Sequence, residues 1–192
     1  MFQQTVILML PPTQPPLVAG IIINKPTTIP LAKLFRDPAL KNPGNAYFGG
    51  PVELTEPLLL LRGAKPNGNA SRLFDDVYVT TDPDSIAKLL QHKSQSADDP
   101  RVYFGRAQWT LDQLHAEILA GAWYVMPAKA DLVFSSNPAG IWHLLLERAH
   151  FHEVNVTRAQ GSDICALFSC ARESATASPP DAVLPIMILP TP

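Results

Sequence analysis

Proline sets the scale of every element this chain can form. Twenty of its 192 residues are proline, against ten glycines, and each proline fixes φ and removes a backbone donor, so it ends a helix interior or a central ladder. The expectation is a series of short strands and helices joined by stiff turns, with no long helix. The length suits one domain, and 46% hydrophobic residues are enough for a substantial core.

Between the prolines the apolar pattern is informative. Residues 5–10 and 18–23 are unbroken apolar runs of strand length, which reads as two strands buried on both faces. The segment Pro11-Pro12-Thr13-Gln14-Pro15-Pro16 between them is too short for a crossover helix, so an antiparallel pair is expected. Pro30 suits a first helical position, with Leu31, Leu34 and Phe35 as the apolar face and Asp37-Pro38 as the stop. Residues 58–61 read as a third buried strand. Residues 73–80 read as a strand interrupted by a turn or bulge at Asp75-Asp76. Asp82-Pro83 and Ser136-Asn137-Pro138 are cap-plus-proline helix starts. The first helix faces Ile86, Leu89 and Leu90 inward; the second runs to about residue 150 with Ile141, Trp142, Leu145 and Leu146 on its packed side. Residues 92–100 read as loop and residues 132–134 as a short strand.

The most organised stretch is 105–123. Thr110 and Gln113 have the spacing of a capping box, Trp109 and Leu114 that of a hydrophobic staple, and Gly121 is placed to end the helix. A helix of about three turns is expected, with Leu111, Leu114 and Ile118 inward and strands 102–104 and 123–126 on either side. The pair Gly49-Gly50 ahead of Pro51 implies a backbone shape other residues could not easily adopt. Beyond Glu153 the composition shifts to Ser, Ala, Thr and Pro, so residues 1–153 are expected to be the domain and 154–192 a tail, largely disordered or loosely docked.

Several function classes lose support on composition. A formal net charge of −2 and 17% charged residues give no positive field for a phosphate backbone, so direct nucleic-acid binding is not expected. No apolar run reaches the roughly 20 residues of a membrane span, and the start lacks a positive n-region and a cleavage site. Cytoplasm is the favoured compartment, with export only if an upstream segment exists. Cys165 and Cys170 read as ordinary thiols or an incidental disulfide, not a zinc site.

No catalytic constellation assembles from the residues. His150 and His152 beside Glu153 read as a solvated helix end, and Asp112, His115 and Glu117 as the outer face of the central helix. Asp75-Asp76 and Asp98-Asp99 are explained by turn chemistry, because adjacent carboxylates point apart in a strand. No G-x-S-x-G occurs, and the Gly49-Gly50-Pro51 loop has no following Lys-Ser/Thr. The sequons at Asn69 and Asn155 matter only in a secreted eukaryotic protein. No cofactor and no metal are expected.

The ordered pieces resemble the YqgE/AlgH family of bacterial proteins. The resemblance rests on Phe2-Gln3-Gln4-Thr5-Val6-Ile7-Leu8, Ala19-Gly20-Ile21-Ile22-Ile23-Asn24-Lys25-Pro26, Phe48-Gly49-Gly50-Pro51-Val52, and Gly105-Arg106-Ala107-Gln108-Trp109 with Asp112-Gln113-Leu114 and Glu117-Ile118. Trp123, Phe134 and Trp142 continue it, so it covers roughly residues 2–150. It implies a compact α/β (α+β) domain whose mixed, branched sheet forms a small barrel-like core surrounded by short helices. One branch carries a name tied to regulation of alginate production, and no catalytic residues are agreed. The shared positions are turn formers and packing residues; Asn24, Lys25, Pro26, Gly49, Gly50, Trp109 and Gln113 are the candidate ligand-binding set if they line one cleft.

Three departures accompany the resemblance. A strand the family places before the Phe2 position is missing, which would leave a sheet edge unpaired. Gln108 stands where glycine is usual, and His115 where glutamate is frequent. The expected function is a non-enzymatic binding or regulatory protein acting through a protein or small-molecule partner. A transcriptional regulator, or a hydrolase-type enzyme using Lys25, Asp112 or His115, is the alternative.

Overall fold

A computed structural model of the chain describes residues 3–12, 16–36, 40, 44–66, 69–91, 99–152 and 184–189. The two leading apolar runs form strands β1 (Val6–Met9) and β2 (Leu17–Ile22), and they pair antiparallel with Ile7 opposite Ile22 and Met9 opposite Gly20. All four residues of β1 are buried. Their side chains divide between the two faces of the sheet: Val6 and Leu8 pack with Ile21 and Tyr103 on one, Ile7 and Met9 with Ile22 and Trp109 on the other. A strand with core on both faces cannot show polar alternation, which is why the sequence shows none.

The spine of the sheet is β8 (Arg101–Thr110), longer than the three residues expected: through its second half Arg106, Gln108 and Thr110 alternate with Ala107 and Trp109, the pattern of a half-buried strand. It holds three partners. Along its first half lie β5 (Val52–Arg62), antiparallel, and β4 (Asn45–Phe48), parallel with Tyr47 opposite Tyr103. Its second half pairs with β2, placing Val18 opposite Trp109. The sheet thus branches at β8, with β3 (Pro26–Pro30) added outside β4. Beyond β5 come β7 (Val77–Thr80) and β6 (Ser71–Phe74), a hairpin turning at Asp75 in the left-handed region at φ 42°. The result is a single mixed α/β domain built on a curled sheet, and the mixed, branched arrangement implied by the resemblance holds.

The helices are short. α1 (Leu31–Phe35) buries Leu31. α2 (Pro83–Gln91) is capped by Asp82, whose carboxylate accepts from the Ser85 amide at 2.9 Å; the hydroxyl and amide of Ser85 together hold that carboxyl below its ordinary range. α3 (Leu111–Leu119) starts at Thr110, whose hydroxyl accepts from the Gln113 amide at 3.2 Å, and ends ahead of Gly121 at φ 76°. Only half of the capping box forms, because the Gln113 side chain donates to Glu117 instead of turning back. The inward face is also narrower than expected: Leu114 is buried, while Leu111 is 38% exposed. α5 (Ile141–His152) follows a single 3-10 turn capped by Asn137 and buries Ile141, Trp142 and Leu145, as the sequence implied.

Two expectations are corrected. Residues 132–134 are not a strand but the end of α4 (Ala130–Val133), where Phe134 donates to Ala130; so short an apolar run carries no period to separate helix from strand. The larger correction concerns the tail. Pro185–Ile188 form β10, inserted antiparallel between β1 and β9 (Tyr124–Pro127), with Val6 opposite Ile188 and Val125 opposite Met187. Ile186, Met187 and Ile188 are wholly buried, and β1 is paired on both sides, by β2 and β10. Pro185 heads the strand, and a first strand residue can be proline without breaking the ladder. The proposed boundary at 153/154, the stop at Asp37-Pro38, Asp98 of the Asp98-Asp99 pair, Asn155, Cys165, Cys170 and the side chains of His150 and His152 lie outside the described residues.

Candidate functional site: a charged cleft beside the β5 bulge

Alternation along β8 decides which residues reach the cleft. Ala107 and Trp109 point into the core, so Arg106 and Gln108 point away from it. Opposite them β2 contributes its residues 17–19, with Ala19 directly across from Gln108. The third wall comes from β5. From Val52 to Pro57 that strand advances five positions while β8 advances two, from Arg106 to Phe104, so residues 53–56 bulge out of the ladder. Glu53, at the start of the bulge, sits at φ 55°. A glutamate in the left-handed region costs on the order of 1 kcal/mol and is held there by its surroundings.

That surrounding is an ion pair. The Glu53 carboxylate takes the Arg106 guanidinium, tying the bulge to β8. Together with Glu56, Gln108 and Pro11 these residues line a cleft of about 270 Å³. Its formal charge is −1, two carboxylates against one guanidinium. The Arg106 Nε is buried and has no hydrogen-bond partner among the described residues.

The opposite face of this same half of β8 is fixed by a different polar cluster. Oε2 of Glu117 accepts from the indole N–H of Trp109 at 3.1 Å and of Trp123 at 2.8 Å, and its Oε1 from the Gln113 amide at 2.9 Å. The two indoles meet edge to face, centroids 5.9 Å apart. One carboxylate therefore pins α3, β8 and the approach to β9.

The candidate set from the sequence falls into two groups. Asn24 is buried; its side chain accepts from the Val6 amide and donates to the Gln4 carbonyl, closing the start of β1. The carbonyl of Lys25, half-buried, accepts from Phe48, and Ile22 donates to Gly49, so Asn24, Lys25, Pro26, Gly49 and Gly50 form one crossing of β3, β4 and β8. Trp109 and Gln113 meet instead at Glu117. Arg106 and Gln108, between the groups, are the residues the sequence reading missed; the signal was the alternation of 106 and 108 against the apolar 107 and 109. No hydrogen bond or ion pair joins Lys25, Asp112 and His115, and no group of three or more His, Cys, Asp or Glu is placed to hold a metal, among the described residues. Nor is any helix among them long and apolar enough to cross a membrane.

The branched sheet, the bulge and the glycine crossing define a class: a small mixed α/β domain organised around one shared strand. The AlgH-like family profile matches residues 1–153, and the chain belongs to that family. A UPF0301 protein of Thermobifida fusca is 31% identical over 157 residues, 77% of this chain and 78% of that protein. A UPF0301 protein of Serratia proteamaculans is 28% identical over 158 residues, with the same coverage. Among solved structures, the AlgH protein from Pseudomonas aeruginosa superposes with a TM-score of 0.57 at 19% identity, over 92% of this chain and 97% of that one. Protein DIP2367 from Corynebacterium diphtheriae gives 0.58 at 21%, over 75% and 76%. These two likenesses concern the fold.

Proposed function

We propose that this chain is a non-enzymatic binding protein that engages a small molecule, or one side chain of a protein partner, in the cleft between β2, β8 and the β5 bulge. The observation that carries this reading is the convergence of Arg106, Gln108, Glu53 and Glu56 from separate strands on one polar concavity. Convergent polar groups that fix orientation distinguish a binding site from a surface dimple. The volume, about 270 Å³, lies just below the roughly 300 Å³ at which drug-sized ligands begin to fit, so the occupant is small.

A regulatory role follows from such binding when the occupant belongs to another protein. Direct action on DNA is the weaker alternative, since both the chain and the cleft carry negative charge. The test is native mass spectrometry of the purified chain together with its Gln108→Ala and Arg106→Ala variants. The wild-type chain is expected to retain a small adduct or a defined partner that both variants release. Retention by both variants would remove the cleft as the site, and turnover of any substrate by the purified chain would remove the non-enzymatic reading.

A further inference from the structure

We propose that the occupant of this cleft is an organic cation, a primary ammonium or guanidinium group at the end of a short aliphatic stem. The inference rests on the cleft being the binding site and adds the chemistry of what it takes. Three observations point the same way.

The first is how the one guanidinium is used. Arg106 is engaged by Glu53, and its Nε is buried beneath the surface, so an incoming anion would have to displace a carboxylate already in place. Such a paired charge is a poor anion receptor. The second is the surplus. Glu56 is exposed on the bulge and makes no ion pair among the described residues, leaving one uncompensated carboxylate at the rim. Beside it the Gln108 side chain, likewise without a hydrogen-bond partner there, offers a carbonyl oxygen. A carboxylate and an amide oxygen are acceptors, matched by a ligand made only of donors, which is what ammonium and guanidinium groups are.

The third observation is the apolar side of the cleft. Pro11 and Leu17 stand beside the charged groups at its edge, a small apolar contact for the methylenes next to a head that reaches Glu56, the way lysine and arginine stems lie on apolar surface. The cleft holds one such group. A free amine and a Lys or Arg side chain of a partner share this chemistry.

The test is a two-dimensional amide NMR titration of the full chain with four probes of equal stem length: butylammonium, butylguanidinium, butanol and butyrate. The two cations are expected to shift the resonances of Ala19, Glu56 and Gln108, with butanol and butyrate leaving them in place. Glu56→Gln is expected to weaken cation binding about tenfold, the loss of one charge-assisted contact, and its spectrum shows directly whether it is folded. Gln108→Ala serves as the second variant. Shifts at these residues from butyrate or butanol equal to those from the cations would overturn the cationic assignment and leave the cleft standing as a site. No shift there from any probe, or cation shifts unchanged in both variants, would overturn the assignment and the cleft together. A blocked lysine or arginine tripeptide binding more tightly than the bare cations identifies a partner side chain as the source; equal or weaker binding identifies a free amine.

Discussion

Gly50 and Gly105 meet backbone to backbone where β4 hands over to β5 across β8. A Cβ on Gly105 would land on the Gly50 carbonyl oxygen, and one on Gly50 on the Arg106 carbonyl. Both glycines also hold positive φ, 148° and 78°. The contact lets a parallel and an antiparallel strand approach the same stretch of β8, and it sets where the bulge that carries Glu53 begins.

Gly105→Ala and Gly50→Ala are each expected to destabilise the fold by about 3 kcal/mol or more, from left-handed strain plus a backbone clash. Urea unfolding checks this. Gly121→Ala, at φ 76° but with open space around it, is expected to cost only about 1 kcal/mol.

Glu117 is the acceptor for two indoles and one amide. Glu117→Gln puts an NH2 group among these donors and removes the charge, so a loss of about 2 kcal/mol is expected, together with a change in the fluorescence of Trp109 and Trp123. Unchanged emission and stability would mean the indoles do not depend on this carboxylate.

Arg101 is 8% exposed. It donates to the Val133 and Ser135 carbonyls at 2.9 and 2.6 Å and lies 5.5 Å from the ring centres of both Tyr47 and Phe134. Arg101→Met is expected to cost about 3 kcal/mol by leaving two carbonyls without their donor and removing two cation–π contacts. Arg101→Lys is expected to recover only part of that, because one ammonium cannot span both carbonyls.

Tyr103 is fully buried and its hydroxyl has no hydrogen-bond partner among the described residues. Burial pushes its pKa well above the ordinary value; the nearby Arg101 charge pulls the other way without winning. With the folded value above the unfolded one, the contribution of this group is complete below about pH 10 and is lost as pH rises through the folded value. Tyr103→Phe is therefore expected to fold at least as stably at neutral pH, within about 1 kcal/mol, and to resist alkaline unfolding better. Circular dichroism against pH from 8 to 12 measures both.

Much of this architecture was legible because it is local. The Asp82 and Asn137 caps, the stop at Gly121 and the Trp109–Leu114 staple are spacings of a few residues, and each formed. The Gly49-Gly50 signal marked an unusual backbone shape without revealing the close approach of Gly105, since nothing in the sequence says which strand a loop will meet. The cleft was hidden for the same reason. Its acids and its arginine come from β5 and β8, some fifty positions apart, and join only because the bulge re-aims Glu53. β10 was misjudged because proline composition outweighed a four-residue apolar run, whose value lies wholly in its neighbours.

Met187→Asp would place a charge where the side chain is wholly buried beside Ile7, Ile22 and Trp109. The expected cost exceeds about 3 kcal/mol. Hydrogen exchange should show β9 losing protection along with β10, since β10 is the strand that pairs β9 to the sheet.

The place of β10 also sets a schedule for synthesis. Ile7 and Met187 are ladder neighbours, yet after Ile7 the ribosome adds 180 residues to reach Met187 (187 − 7), which at about 5–20 residues per second takes on the order of ten seconds or more. Throughout that interval β1 presents an open row of amides and carbonyls on an apolar strand, the kind of edge that recruits other chains, and β9 waits without the strand that docks it. A nascent chain of this design is most exposed to misassembly at β1 while its partner strand is still unmade, and its protection depends on how quickly translation reaches residue 188.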